Sequence, residues 1–330
     1  MGALGCIGRA PTDSTEVFSS NVSNMSSTNS INETRRDLES QKTKDDGKDN
    51  RLWWRLGVDV PIFLVAATLL TMFELGVLLQ HKSGFFCNDP ALSYKFTGDT
   101  VSTEVIVSTI ILLPFIVMFS TEYILFDSIY TTQTRLQYVS RRTGRLYGSY
   151  VYALFFNLIV VEVMKGITGN PRPTFFDLCE PDTGKTCNGS EYVATFQCTS
   201  SRSTSWLQRD SYHSFPSGHT SLSVLCGFFM AWYLQRRAFS WRRRSVLVVP
   251  LLQVACVSYS ALCSLSRITD HRHHWWDVLV GAVVGVLTFL YAVYVLCNNF
   301  TTPQKSQGDM TASQHTVRSL VFREERSAAP

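Results

Sequence analysis

Three short clusters carry the groups that could act on a phosphate ester. The first reads KGITGNPRP and holds Lys165 and Arg172. The second reads FPSGHTS and holds Ser217, Gly218 and His219. The third, SRITDHRHHWWD, holds Arg267, His273 and Asp277. Lys165, Arg172 and Arg267 are three fixed cations that suit a dianionic phosphate, since Arg offers forked contacts and Lys a point charge. Snorkelling at a membrane edge explains most single bases of this kind. That explanation weakens for Arg172, pinned between Pro171 and Pro173, and for a set accompanied by His and Ser.

PSGH reads as the start of a helix. Ser217 stands at an N-cap position and Gly218 lets backbone approach a ligand closely. Free N–H groups at a helix N-terminus attract anions. A well-capped helix with no ligand would read the same way. His219 adds a titratable ring at that place, able to protonate a leaving alkoxide. In the third cluster His273 and Asp277 are four apart and share a helix face. A carboxylate on one ring nitrogen fixes the tautomer and leaves the other nitrogen free to attack. His274 lies three before Asp277, so spacing alone leaves it in competition, and His271 is a further competitor. For His271 and His274 the plainer reading is an interfacial belt with Trp275 and Trp276. No HExxH, DxDxT-like, Walker or CxxC pattern is there to hold a metal. The cations already supply charge stabilisation, so neither metal nor cofactor is expected.

These residues need elements to hold them. The chain has 330 residues, a net charge of +4 and an apolar fraction of 45%. That charge gives no argument for a nucleic-acid partner. The polar ends and apolar middle point to the bilayer instead. Six stretches pass the length test for spanning helices: Val58–Gln80, Glu104–Phe126, Tyr147–Met164, Ser217–Gln235, Ser245–Leu265 and Trp276–Cys297. The third is the weakest, because it is short and contains Asn157 and Glu162. The expected fold is therefore all-α, a polytopic membrane protein built as a six-transmembrane-helix bundle over 51–297. Residues 1–50, rich in Ser, Thr and Asn and then charged, are expected to be disordered, and 298–330 to be a polar tail.

Lys/Arg bias orients the bundle. Arg135, Arg141, Arg142 and Arg145 fall in the second connection, and Arg236, Arg237, Arg242, Arg243 and Arg244 in the fourth. Both are expected on the cytoplasmic side with both termini, which places the three clusters at the extracellular or lumenal face. The Asn188-Gly-Ser sequon in the long third connection agrees with a glycosylated outer loop. Cys87, Cys179, Cys187 and Cys198 lie in outer loops and can form disulfides, with all three pairings open. Cys226, Cys256, Cys263 and Cys297 read as apolar filler.

The three clusters, in this order and spacing, resemble the three signature motifs of the type 2 phosphatidic acid phosphatases. Within that superfamily the chain resembles the animal lipid phosphate phosphatases, helped by FFCNDPALSYKF in the first outer loop. The PSGH spelling and long polar N-terminus suit an insect Wunen-type branch. The resemblance covers roughly residues 55–297. It implies that His273 attacks phosphorus and forms a phosphohistidine, that Asp277 orients it, and that His219 protonates the leaving alcohol. It further implies that Lys165, Arg172, Ser217, Gly218 and Arg267 hold the phosphate oxygens. The implied substrates are phosphatidate, lysophosphatidate, sphingosine 1-phosphate and ceramide 1-phosphate, hydrolysed without Mg²⁺, at the plasma membrane or an internal one. A sphingomyelin-synthase-type phosphotransferase and a non-enzymatic phospholipid binder are the alternatives. A homo-oligomer is left open.

Overall fold

The computed structural model describes residues 57–73, 75–77, 81–126, 134–187, 189–238 and 246–301. The expected disorder of 1–50, the tail beyond 301 and the sequon residue Asn188 lie outside them. Helix α1, Gly57–Phe73, is apolar. One compact unit of the chain ends within it at Leu69, and everything from Leu70 onward forms the second unit.

The second unit is a helical bundle with an outer cap. Its long helices are α2 (Thr103–Ile124), α3 (Arg135–Thr168), α6 (Gly218–Arg237), α7 (Val248–Thr269) and α8 (Trp275–Tyr291). A π-helical turn over Ala292–Leu296 extends α8. Among the described residues, four helices are long and apolar enough to cross a membrane: α2, α3, α7 and α8 with its extension. By length and composition these match four of the six expected spans. The apolar helix Gly57–Phe73 is shorter than a full span. Helix α6 is long enough but too polar, and its position explains why. It packs against α2, α3, α7 and α8. A helix enclosed by other helices meets protein rather than lipid, so it can carry the buried Thr220, Ser221 and Ser223. By contrast α7 leaves Leu251, Val254, Leu262 and Leu265 exposed, as a lipid-facing helix must. The chain is an integral membrane protein.

Helix α3 differs most from expectation. A short span over Tyr147–Met164 becomes a helix of 34 residues. Thr134 caps its start by accepting from the Gln137 N–H. Arg141, Arg142 and Arg145, expected in a loop, ride on its first turns. Arg142 has a reason to be there. Its Nε lies 3.0 Å from the Glu122 carboxylate, which also takes Arg237 at 2.7 Å. Glu122 is 1% exposed, and a buried carboxylate must be paired. The weakness read into Asn157 has a similar resolution. Asn157 is fully buried, donates to Thr288 Oγ1 on α8 and accepts from Ser221 Oγ on α6. Amide and hydroxyl groups join helices in this way where no water competes.

Close contact between α6 and α8 fixes the top of the bundle. Gly281 and Gly285, four apart on α8, lie against Ser217 and Ser221, four apart on α6. A Cβ on Gly281 would fall 2.5 Å from the Ser217 carbonyl oxygen, and one on Gly285 2.6 Å from that of Ser221. Small residues at this spacing let backbones approach.

The outer cap fills the long third connection and part of the first. It contains α4 (Phe175–Cys179), α5 (Ser205–Asp210) and a two-residue antiparallel pair, β1 (Phe85–Phe86) with β2 (Tyr192–Val193). Phe85, Leu92, Phe175, Phe196 and Tyr212 form its own apolar core. Two disulfides close it, Cys87–Cys187 and Cys179–Cys198. This selects one of the three pairings left open by the sequence. The remaining described cysteines, Cys226, Cys256, Cys263 and Cys297, are free thiols in the bundle.

Two outcomes test this architecture. Replacing Gly281 by Leu overpacks α8 against α6 and should lower stability by about 3 kcal/mol, read as a fall in Tm of the detergent-solubilised protein. Non-reducing peptide mapping should recover Cys179 linked to Cys198, and the double Ser variant should lose about 3 kcal/mol.

Candidate functional site

The three sequence clusters converge at the cap-facing end of the bundle. Lys165 sits in the last turn of α3, which ends when Gly169 turns left-handed at φ 54°. Along α3 that places Lys165 about 35 Å from Arg142, at 1.5 Å rise per residue. The site and the Glu122 arginine pair therefore occupy opposite ends of the bundle. Arg172 follows in the loop after α3, Ser217 caps α6, and His273 lies in the loop between α7 and α8.

Ser217 is the N-cap that its sequence suggested, with its side chain accepting from the Thr220 N–H. Its own N–H donates to the Asp277 carbonyl at 3.0 Å, tying the start of α6 to α8. Gly218 opens α6, and a Cβ there would meet Lys165 Nζ at 3.7 Å, an ordinary contact. The first turn of α6 and the Lys165 ammonium thus face one space. His219 follows, and its buried Nε2 has no hydrogen-bond partner. An orphan buried ring nitrogen in a polar site marks a place for a ligand.

His273 is 3% exposed. Its Nδ1 lies 2.7 Å from the Ser214 carbonyl oxygen. That contact requires Nδ1 to carry the proton and leaves the lone pair on Nε2. Nε2 in turn lies 3.2 Å from Arg172 Nη1. Burial, with Arg172 next, pushes the imidazole down to about 3, against the pull of Asp277. The ring is therefore neutral at pH 7, as a nitrogen nucleophile must be.

Asp277 stands differently from the expected direct partner. Its carboxylate is 3.8 Å from His273 Nδ1, beyond hydrogen-bond reach. It accepts instead from Ser214 Oγ at 2.5 Å and from the His274 N–H at 2.9 Å. Asp277 thus orders the two segments that hold His273, while the Ser214 carbonyl orients the ring. His274 caps α8 in a reciprocal capping box with Asp277 and stacks on Trp276 at 4.5 Å. His271 takes a left-handed φ of 52° and stacks on Tyr94 at 4.0 Å. Both competing histidines hold the loop in shape.

The cations are held apart by carboxylates. Arg172 donates through Nε to the Asp210 carbonyl at 2.7 Å and pairs through Nη2 with Asp210 Oδ1 at 2.6 Å. Asp210 Oδ2 takes Arg272 Nη2 at 2.7 Å. Arg272 Nε approaches Asp99 Oδ1 at 3.1 Å, and that same oxygen lies 3.1 Å from Arg267 Nη1. Asp270 takes Arg267 Nη2 at 3.0 Å. Lys165 is paired separately, with Glu162 at 2.7 Å. The Arg172 guanidinium therefore contacts the His273 ring directly, whereas the Arg267 guanidinium is joined to Arg272 through Asp99 and its carbonyl accepts from the His273 N–H at 3.2 Å. Burial lowers Arg172 to about 10, so it stays charged. Burial would raise Asp210, but Arg172 and Arg272 hold it at about 2.

Sequence reasoning missed Asp210, Asp99, Ser214 and Arg272. Arg272 stood inside the third cluster without a role. Asp210 carried only one signal, an acid in a connection long enough to be functional. Ser214 acts through its backbone carbonyl as well as its hydroxyl, and a carbonyl leaves no trace in residue type.

Fold and site together define an integral membrane protein with a buried, arginine-rich cluster beside a histidine ring nitrogen. The PAP2 superfamily profile matches residues 146–301, which include every residue of the three clusters. A bovine protein named phospholipid phosphatase 2 is 30% identical over 76% of this chain and 85% of its own length. A Drosophila melanogaster protein named putative phosphatidate phosphatase is 29% identical over 80% of this chain and 76% of its own. No solved structure matches the chain. The chain belongs to the PAP2 superfamily, among the type 2 lipid phosphate phosphatases.

The acid network makes a pH prediction. Asp210 has a folded value near 2 against an ordinary 3.8. A depressed carboxylate stabilises the fold above its unfolded value and loses that contribution as pH falls through the folded one. Thermal unfolding should show about 2 kcal/mol lost between roughly pH 4 and pH 2. Asp210→Asn should lose about 3 kcal/mol already at pH 7, because it strands two buried guanidinium groups, and should lack that acid transition.

Proposed function

We propose that this protein hydrolyses lipid phosphomonoesters through a covalent histidine intermediate. The observation that carries the reading is the His273 ring, with Nδ1 bound to the Ser214 carbonyl and Nε2 unprotonated 3.2 Å from Arg172. A phosphate placed against Arg172, Lys165 and the N-terminus of α6 would present phosphorus to Nε2. Arg172 and Lys165 neutralise the oxygens, as phosphoryl transfer requires, and Arg267 adds positive potential from behind. The Nε2–P bond forms as the P–O bond to the lipid breaks. His219, protonated as the anionic substrate enters, delivers that proton to the departing alkoxide. Water then attacks the phosphohistidine, His219 removes its proton, and the P–N bond breaks to free His273 and inorganic phosphate. Asp277 keeps Ser214 and the His274 N–H in place throughout.

The relatives' names support phospholipid substrates, and phosphatidate, lysophosphatidate, sphingosine 1-phosphate and ceramide 1-phosphate are the candidates. The arginines at the far end of the bundle support a cytoplasmic placement of that end and of both termini. The catalytic end then faces the outside or a lumen, at the plasma membrane or an internal one, with Asn188 glycosylated. Paired disulfides in the cap fit an oxidising compartment.

The test is phosphate release from lysophosphatidate by detergent-solubilised protein in EDTA. His273→Ala should lower kcat by at least about 10³-fold. Rapid quenching with labelled lipid should trap an acid-labile, alkali-stable phosphoprotein in the wild type and none in His273→Ala. Normal turnover by that variant would end this mechanism, and a labelled lipid product in place of free phosphate would indicate transfer to a second lipid.

A further inference from the structure

Beside the phosphate site lies a cavity of about 80 Å³, roomier than a single water needs. Lys165 and Asp210 line one side of it, and Phe73 and Trp206 line another. A group in this cavity would therefore sit against the phosphate-binding lysine while touching aromatic carbon. Such a lining fits the short polar backbone of a lipid, between its phosphate and its chain.

One wall residue, His213, has an unassigned acceptor. Its Nδ1 lies 2.9 Å from the Arg209 carbonyl oxygen, which requires the proton on Nδ1 and the lone pair on Nε2. Nε2 is buried and has no partner. Burial, and Lys165 after it, push His213 down to about 4, so the ring stays neutral and accepting at pH 7. Among the neighbouring carboxylates, both Asp210 oxygens take arginines and Glu162 Oε1 takes Lys165. A buried acceptor without a donor is costly and selects a ligand that brings one.

We infer that this cavity is the backbone subsite of the lipid substrate, and that His213 Nε2 accepts from a free hydroxyl on the carbon beside the phosphoester. The inference rests on the phosphatase reading and adds a specificity-determining residue to it. Lysophospholipid phosphates, which carry that hydroxyl, are then preferred over lipids whose neighbouring oxygen is acylated. The hydroxyl donates to His213, and no bond is made or broken there.

The experiment compares two substrates with one acyl chain: 1-acylglycerol 3-phosphate, and the propanediol phosphate that lacks only the middle hydroxyl. For the wild type kcat/KM should favour the hydroxyl substrate by about 10-fold. His213→Leu should bring the ratio to near one while changing kcat/KM for the deoxy substrate by less than about twofold. His213→Gln, which returns an acceptor, should restore most of the preference. An unchanged ratio in His213→Leu would overturn the inference, as would an equal fall on both substrates. The phosphonate analogues of the same pair, which cannot be hydrolysed, are measured for binding in parallel. If the wild type releases phosphate from neither substrate, the phosphatase reading fails. The phosphonate pair then still decides the subsite: a preference for the hydroxyl form that vanishes in His213→Leu supports it, and equal binding sinks it.

Discussion

Burying a guanidinium costs several kcal/mol unless an opposite charge meets it, and this chain buries Arg172, Arg267 and Arg272 in one loop cluster. Asp210 stands between Arg172 and Arg272, and Asp99 between Arg272 and Arg267. The alternation lets like charges gather without expelling one another. It also fixes their directions, since the two Asp210 oxygens take one arginine each and a single Asp99 oxygen is shared by Arg272 and Arg267. Arg172 is thereby left with Nη1 turned to the Arg272 carbonyl and to His273 Nε2. An anion entering here meets a cation whose position has already been set.

That network draws on separate parts of the chain, and the bundle and cap bring them together. Asp99 comes from the segment before α2, Asp210 from the end of α5, Arg172 from the loop after α3, Arg267 from the last turn of α7 and Arg272 from the loop that follows it. Thr100 binds Asp270 through both backbone and side chain, so the segment before α2 is held to the loop carrying His273. The α6–α8 contact at Gly281 keeps Ser217 beside Asp277. The disulfides and the aromatic core of the cap hold the loop that delivers Asp210 and Ser214. Rigidity in the cap thus keeps His273 in place, because these loops carry most of its polar contacts.

The opposite end of the bundle shows the same physics without a site. Glu122 collects Arg142 and Arg237, with the Tyr233 hydroxyl beside them. Its carboxylate oxygens are taken within the protein, and it joins α2, α3 and α6. At the other end, the buried Nε2 atoms of His213 and His219 lack a hydrogen-bond partner.

The sequence by itself determined the helical class and the membrane setting, and it singled out the eight residues of the three motifs, because hydropathy, capping and charge are properties of residue type at short spacing. It also assigned His273 over His271 and His274, though only through the family spacing. The tertiary structure decided what depends on neighbours distant in the chain. Helix α6 could not be recognised as the enclosed centre from its own polarity, since Ser and Thr are tolerated only where other helices surround them. Asp210 and Asp99 gain meaning only from the arginines that face them. Ser214 contributes a carbonyl, which every residue has, so only the fold could say that this one orients His273. The pairing of Cys179 with Cys198, and of Cys87 with Cys187, likewise waited on the cap that brings their sulfurs together.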